Sequence, residues 1–261
     1  MSAPDRLEAE RLGTVLSVWA HPDDETYLAG GLMASCAASG QRVVCVSATA
    51  GEHGTSDPVA WPPARLARRR REETAAAMAV LGVDDHRFLG FEDGTLASID
   101  PAVGVAVITD LIDEVRPDTI LTFGADGMTY HPDHITIGAW TTTAWESAGR
   151  RGRLLYATMT YEHIVVHGET YEEWGIYMTD DRPPLHRTAD LAVHHVVRGD
   201  LLERKLTALA AMASQTARAI ETLEPDVWRA TNSEECFVDA SMAFSATPHP
   251  DSGTLRRREA E

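Results

Sequence analysis

Thr14-Val15-Leu16-Ser17-Val18-Trp19-Ala20-His21-Pro22-Asp23-Asp24-Glu25 is the stretch on which the fold turns. Its first seven residues are an apolar, β-favouring run, and its last five are dense in histidine and carboxylate. The segment from about Asp24 to Ser39 is rich in Ala and Leu and ends at Gly40. A strand feeding a helix with a glycine C-cap accounts for all of this. The motif recurs outward along the chain. Arg42 to Ala48 reads as a second strand, Gly51 to Pro63 as a loop, and Ala64 to Leu81 as a helix stopped by Gly82. His86 to Leu89 is a short third strand, Ala102 to Val115 a helix ahead of Pro117, and Thr119 to Phe123 a fourth strand. Near-continuous apolar strands alternating with helices indicate a parallel sheet covered on both faces. The fold class is therefore α/β, Rossmann-like and doubly wound, with strand order 3-2-1-4-5. No internal repeat is visible.

After Gly149 the pattern loses its regularity. Leu154 to Thr158 reads as one more strand, Tyr161 to Pro184 as a long aromatic and acidic stretch, and about Leu201 to Ala219 as a last helix. His163 and His167 are four apart, but Ile164-Val165-Val166 between them favours an extended segment over a helical ligand pair. Tyr161, Tyr171, Trp174 and Tyr177 are equally compatible with a sugar-stacking lid and with ordinary packing. The final segment is charged and without an apolar face, as expected of a mobile tail.

Composition narrows the function. With 23 Lys and Arg against 40 Asp and Glu, the 261-residue chain has a formal charge of −17. Such a surface repels polyanions, so nucleic acids and anionic lipids are poor partners and a small molecule is a better one. The first residues are polar and no apolar run reaches the ~20 residues of a membrane span, so a cytoplasmic protein is expected. Assembly into a homo-oligomer is compatible with this reading. The three cysteines, Cys36, Cys45 and Cys236, are odd in number and lack CxxC spacing, which suggests neither a disulfide framework nor a cysteine-based metal site. Cys36 and Cys45 read as core residues.

In a doubly wound sheet, ligands bind beyond the carboxyl ends of the strands where the winding reverses. The two richest polar clusters sit there: His21-Pro22-Asp23-Asp24-Glu25 after the first strand and Tyr130-His131-Pro132-Asp133-His134 after the fourth. Each His-Pro-Asp turn carries a further donor three residues after its histidine, Asp24 in one and His134 in the other. Two imidazoles and a carboxylate make a catalytic zinc set that leaves positions open for water and substrate. The competing explanation is that Asp23, Asp24 and Glu25 only cap a helix N-terminus. A third His-Pro-Asp, at 249–251, lies in the charged tail and is assigned to chance. A dinucleotide site is excluded, because no G-x-G-x-x-G follows the first strand.

Taken with Gly51-Glu52-His53-Gly54-Thr55 and Arg70-x-x-Glu73, these clusters resemble the PIG-L/LmbE-like family of zinc-dependent N-deacetylases over about residues 14 to 149. Beyond that only Lys205 to Gln215 is faintly similar. The resemblance implies one catalytic domain over 1–245, with a core at 14–149, an irregular substrate-side part at 150–245 and a tail at 246–261. It implies one Zn²⁺ per chain, or Fe²⁺ on the same donors, held by His21, Asp24 and His134. Asp23 would be the general base, and His131, held by Asp133, would assist the tetrahedral intermediate in protonated form. The chain departs from the family pattern at Tyr130, where many members have glycine, and at Met212, where the family often places a histidine. Arg70, Tyr130 and Glu52 are the candidate substrate contacts. Arg70 lies on the inward helix face of Ala67, Thr74, Ala77, Met78 and Leu81, where a salt bridge to Glu52 or Glu73 is the structural alternative. The activity implied is hydrolysis of an N-acyl group, acetyl above all, on an amino-sugar-containing small molecule. The alternatives are an amidase for a larger thiol-sugar conjugate and an inactive metal-binding sugar-recognition protein.

Overall fold

The computed structural model describes residues 7–243, and the 246–261 tail and the third His-Pro-Asp lie outside them. One seven-stranded sheet runs through the molecule in the order β3-β2-β1-β4-β5-β7-β6. The strands are β1 (Val15–Trp19), β2 (Val43–Ser47), β3 (Asp85–Phe88), β4 (Thr119–Phe123), β5 (Arg153–Thr158), β6 (Val193–Val196) and β7 (Glu234–Asp239). The first five are parallel, in the order expected, and β1 pairs with both β2 and β4. β7 then adds antiparallel to β5, and β6 antiparallel to β7.

Strands β1, β2 and β4 are buried at every position, which is why they read as unbroken apolar runs. The connecting helices are α1 (Asp24–Ala38), α2 (Pro63–Leu81), α3 (Pro101–Val115), α4 (Pro132–Ser147) and α5 (Tyr161–Trp174). After them come α6 (Gly199–Ala211), α7 (Ala213–Thr222), α8 (Pro225–Thr231) and the short α9 (Ala240–Ala243). α1, α2 and α6 pack on one another, as do α3 and α4, so each face of the sheet carries its own helical layer. Trp19 and Phe123, at the ends of β1 and β4, meet edge to face at 4.9 Å in the core. Among the described residues no helix is long and apolar enough to cross a membrane.

Two expectations fail beyond Gly149. Residues 161–174 form α5 and not an extended segment, because the Thr160 hydroxyl accepts from His163 N and Gly175 closes the helix in the left-handed region. Val165 and Val166 stand on its exposed side, so their β-preference meets no sheet that would use it. The helix expected over 201–219 is two helices broken at Met212, whose ψ of 44° leaves the helical region, and α8 and β7 lie beyond it.

Candidate active site

Four strand ends converge at the carboxyl edge of the parallel sheet. Residues 20–24 leave β1, 49–54 leave β2, 92–94 come after β3, and 124–134 link β4 to α4. Pro132 opens α4, and the His131 side chain caps it by accepting from Asp133 N at 3.1 Å. That places His134 in the first turn, where its ring stacks on Phe123 at 4.1 Å and 9°.

His21, Asp24 and His134 meet. His21 Nδ1 lies 3.1 Å from His134 Nε2, His134 Nε2 lies 3.4 Å from Asp24 Oδ1, and His21 Nδ1 lies 3.7 Å from Asp24 Oδ2. Donors on a tetrahedral zinc with bonds near 2.0–2.1 Å stand about 3.3–3.4 Å apart, so the three distances bracket the required value. Each imidazole is also held from behind. His21 Nε2 lies 3.0 Å from Asp93 and 3.3 Å from Asp133, and His134 Nδ1 lies 2.9 Å from the Gly127 carbonyl. These acceptors keep the proton on the rear nitrogen and leave the forward lone pair for a cation. Gly127 is required: at φ 60° its carbonyl meets His134, and a Cβ there would lie 2.8 Å from His134 Cβ.

The electrostatics call for positive charge at this point. Burial alone would lower the His21 pKa, yet hydrogen bonds to Asp133 and Asp93 and the charge of Asp24 push it up to about 10. Burial and the charge of His21 pull His134 down to about 3. Three nearly buried carboxylates around one imidazole suit a divalent ion, so the residues fit the metal that the sequence implies. His131 also brings a ring nitrogen within 4.8 Å of His21 and His134.

Asp23 is not a helix cap. It stands at the N-cap position of α1 with φ 110° and makes no capping bond. Glu25 reaches back to Asp23 N at 3.2 Å, and Asp24 Oδ2 accepts from His21 N at 2.8 Å. The Asp23 carboxylate instead lies 3.4 Å from Arg70 Nη2. Burial raises its pKa to about 6, with Arg70 holding it down and Asp24 pushing it up. Met128 and Tyr130, at φ 65° and 60°, are likewise strained beside the site.

Arg70 is buried as its helix face predicts, but neither Glu52 nor Glu73 is its partner. Its guanidinium donates to the carbonyls of Gly51 and Pro22 and faces Asp23. Gly51 is obligatory here, since at φ 62° a Cβ would overlap the guanidinium. Glu73 is taken by Arg69 at 2.8 Å and by Ser214. Glu52 Oε1 accepts from Asp93 N, while its Oε2 is buried without a partner. The expected contact from Asp133 to His131 is also different: the carboxylate accepts from Gly94 N and Leu96 N and faces His21, and only its backbone N–H reaches His131. Burial and the charges of His21 and His134 lower the His131 pKa, against the protonated form expected. Asp93 is a site residue that the sequence reading does not single out. Its signal is Glu92-Asp93-Gly94, acids just beyond a third strand end.

Residues 16–145 match the GlcNAc-PI de-N-acetylase family, PIG-L. A 1D-myo-inositol 2-acetamido-2-deoxy-alpha-D-glucopyranoside deacetylase from Acidothermus cellulolyticus is 32% identical over 78% of this chain and 80% of that protein. The chain belongs to the PIG-L family. N,N'-diacetylchitobiose deacetylase from Pyrococcus horikoshii shares the PIG-L fold with a TM-score of 0.60, 22% identity and 93% and 89% of the two chains covered. A 4-carboxy-2-hydroxymuconate hydratase from Pseudomonas putida shares it too, at 0.57, 18% and 88% and 96%. One fold thus carries different reactions, and the side chains must decide between them.

The PIG-L match ends before the second wall of the site. A cavity of about 380 Å³ opens on Asp24 and His134 and continues along Tyr27, Tyr171, Trp174 and Trp228. Of the four aromatics suggested for a lid, Tyr171 and Trp174 line it. Tyr161 is exposed, and Tyr177 stacks under Arg182. Tyr130 donates to the Arg182 carbonyl at 3.3 Å. Gln215 joins the lining and donates to Gly54 O, which ties α7 to the loop after β2.

Proposed function

We propose that the chain is a metal-dependent hydrolase that removes an N-acyl group, acetyl first, from the nitrogen of an amino-sugar-containing small molecule. The observation that carries this reading is the Asp23 carboxylate, poised near pH 6 beside three converging metal donors and unused in capping. A divalent ion on His21 Nδ1, Asp24 and His134 Nε2, zinc by preference, supplies Lewis acidity for the amide carbonyl and for a water near neutral pH. Asp23 takes the proton of the attacking water at its carboxylate and passes it to the departing nitrogen. Arg70 keeps that carboxylate ionised and oriented. The bond from Asp133 N to His131 Nδ1 leaves the proton of a neutral His131 on Nε2, where it donates to the oxyanion. Asp133 acts on His21 instead. Glu52 Oε2, buried and unpartnered, is an acceptor for a sugar hydroxyl, and Tyr130, whose hydroxyl donates to the Arg182 carbonyl, is the second substrate contact in this reading. A cytoplasmic location belongs to this reading.

One observation favours a larger substrate. The cavity wall formed by Tyr27, Leu28, Tyr171, Trp174, Leu223 and Trp228 is mostly apolar, which suits an amidase acting on a bulky sugar conjugate. Primary-amine release by the metal-loaded protein, screened over N-acetylated amino sugars and larger conjugates, tests both. Turnover that disappears on chelation and in the His21→Ala, His134→Ala double variant is expected. Amine from bulky conjugates alone would select the amidase, and amine from no substrate would overturn the hydrolase reading.

A further inference from the structure

The antiparallel end of the sheet gathers a second set of donors. His194 of β6 and Cys236 of β7 are cross-strand partners, and Glu234 lies two residues before Cys236. All three side chains therefore stand on one face of the pair. Glu235, between them in sequence, turns to the other face, where it is fully buried against Lys205 at 2.8 Å. Glu234 faces histidines instead: His163 Nδ1 at 3.7 Å and His194 Nε2 at 3.6 Å. α5 delivers His163, and Tyr171, two turns further on, lies 2.8 Å from His163 Nε2. In the tautomer whose Nε2–H donates to the phenol oxygen, His163 Nδ1 is available to an ion beside Glu234. His194 Nε2 is buried and has no hydrogen-bond partner. The ligating atoms of His194, Glu234 and Cys236 lie within 4.8 Å of one another.

We propose that His194, Glu234 and Cys236, with His163 as the fourth donor, form a second metal site that takes a borderline divalent ion, zinc first. Four donors at zinc bond lengths of about 2.0–2.3 Å stand about 3.3–3.6 Å apart; Glu234 already lies 3.6 and 3.7 Å from the two imidazole nitrogens, and the other separations within the triad, up to 4.8 Å, shorten by as much as about 1.5 Å on loading. Two imidazoles and a thiolate exclude magnesium and calcium, which prefer oxygen, and select zinc, cobalt or copper. Loading releases the thiol proton to solvent, so affinity rises with pH. The ion has a way in, because His163, Glu234 and Cys236 line the cavity that also opens on Asp24 and His134. A plain hydrogen-bond relay through Glu234 is the competing account. Such a relay accounts for Glu234 between His163 and His194, and metal titration separates it from a bound ion.

The test is titration of metal-free protein with Co²⁺, monitored by optical absorption and by metal analysis. The first site contains no sulfur, so a thiolate-to-cobalt charge-transfer band reports on a cysteine. Cys36 donates to the Ala9 carbonyl and Cys45 is fully buried in β2, both away from this cluster. Two equivalents bound and the charge-transfer band are expected. The His21→Ala, His134→Ala variant keeps the band with one equivalent, and Cys236→Ser loses the band while keeping one equivalent. His194→Ala weakens the band-forming step by about tenfold or more. One equivalent without the band in the parent protein overturns the site, whatever the variants do. A band that survives in both Cys236→Ser and Cys236→Ala overturns it as well.

Discussion

The parallel strands β1 to β5 and the antiparallel pair β6 and β7 both carry histidine and carboxylate clusters, but assemble them by different means. At β1 and β4 the donors lie just beyond the strand ends, His21 in the turn after β1 and Asp24 and His134 in the first turns of α1 and α4. The backbone itself is bent to present them, with φ of 110° at Asp23 and 60° at Tyr130. At β6 and β7 the polar cluster stands inside regular strands, where pairing register brings together residues 194, 234 and 236, and α5 adds His163. The first arrangement concentrates charge: Asp24, Asp93 and Asp133 drive His21 up to about 10. The second gives its one carboxylate, Glu234, to two imidazoles. A strand end thus tolerates strain that a ladder does not, which places the chemistry at the parallel half and leaves the antiparallel half to wall the cavity.

The sharpest way to break that division is at Asp23. Asp23→Asn keeps the shape of the strained turn and the metal donors, so the bound metal and KM are expected to stay near the parent values. Turnover is expected to fall by roughly 10²–10⁴, the contribution of a positioned acid or base. Amine-release kinetics with parallel metal analysis separate the two quantities. A variant that turns over like the parent would remove Asp23 from the proton path and with it the reason for the strain.

The antiparallel half also holds the catalytic half in place. Glu235 accepts from Gly31 N at 2.7 Å and Leu32 N at 2.6 Å in α1, the helix that starts at Asp24, and is neutralised by Lys205, which donates to the Tyr27 carbonyl. Lys205→Met leaves a carboxylate buried without a counter-ion and is expected to cost about 3–5 kcal/mol in urea unfolding. Adding Glu235→Gln, which removes the stranded charge, should recover most of it. If the single variant loses under about 1 kcal/mol, α1 is not anchored through this pair.

Legibility in the sequence respects the same division. Strands β1, β2 and β4 are buried on both faces, so each shows as an apolar run, and the order of the parallel strands comes from their alternation with helices. The i and i+3 donors of each turn are local, and their meeting needs only the switch-point rule. β6 and β7, by contrast, read Val-His-His-Val and Glu-Glu-Cys-Phe-Val-Asp, with polar and apolar residues mixed on both faces and neither an apolar run nor a clean alternation to identify them. α5 is hidden because its Ile164-Val165-Val166 run is decided by caps at Thr160 and Gly175 and not by propensity. The helix face of Arg70 is readable as buried, but its partners are backbone carbonyls of loops, which no spacing rule reveals.

His86 sharpens the comparison from the far edge of the parallel half. It sits in β3 with Nε2 3.0 Å from Ser47 Oγ and its ring against Phe88 at 4.7 Å, over which Arg71 lies. Where three carboxylates raise His21, burial and the charge of Arg71 lower His86 to about 4, with only Asp85 opposing them. The folded protein therefore keeps this ring neutral, while the unfolded chain protonates it near ~6.5. Below that pH the unfolded state binds a proton that the folded state refuses, so stability is lost as pH falls from about 6.5 to about 4 and levels off beneath. A difference of about 2.5 pH units corresponds to at most roughly 3 kcal/mol, reduced by the partial exposure of the ring. His86→Gln keeps a donor for Ser47 and does not titrate. Urea unfolding of the parent and the variant at a series of pH values should give curves offset by a constant above pH ~7 that converge or cross toward pH ~4 in favour of the variant. Parallel curves across the whole range would mean that His86 stays as solvated as in the unfolded chain.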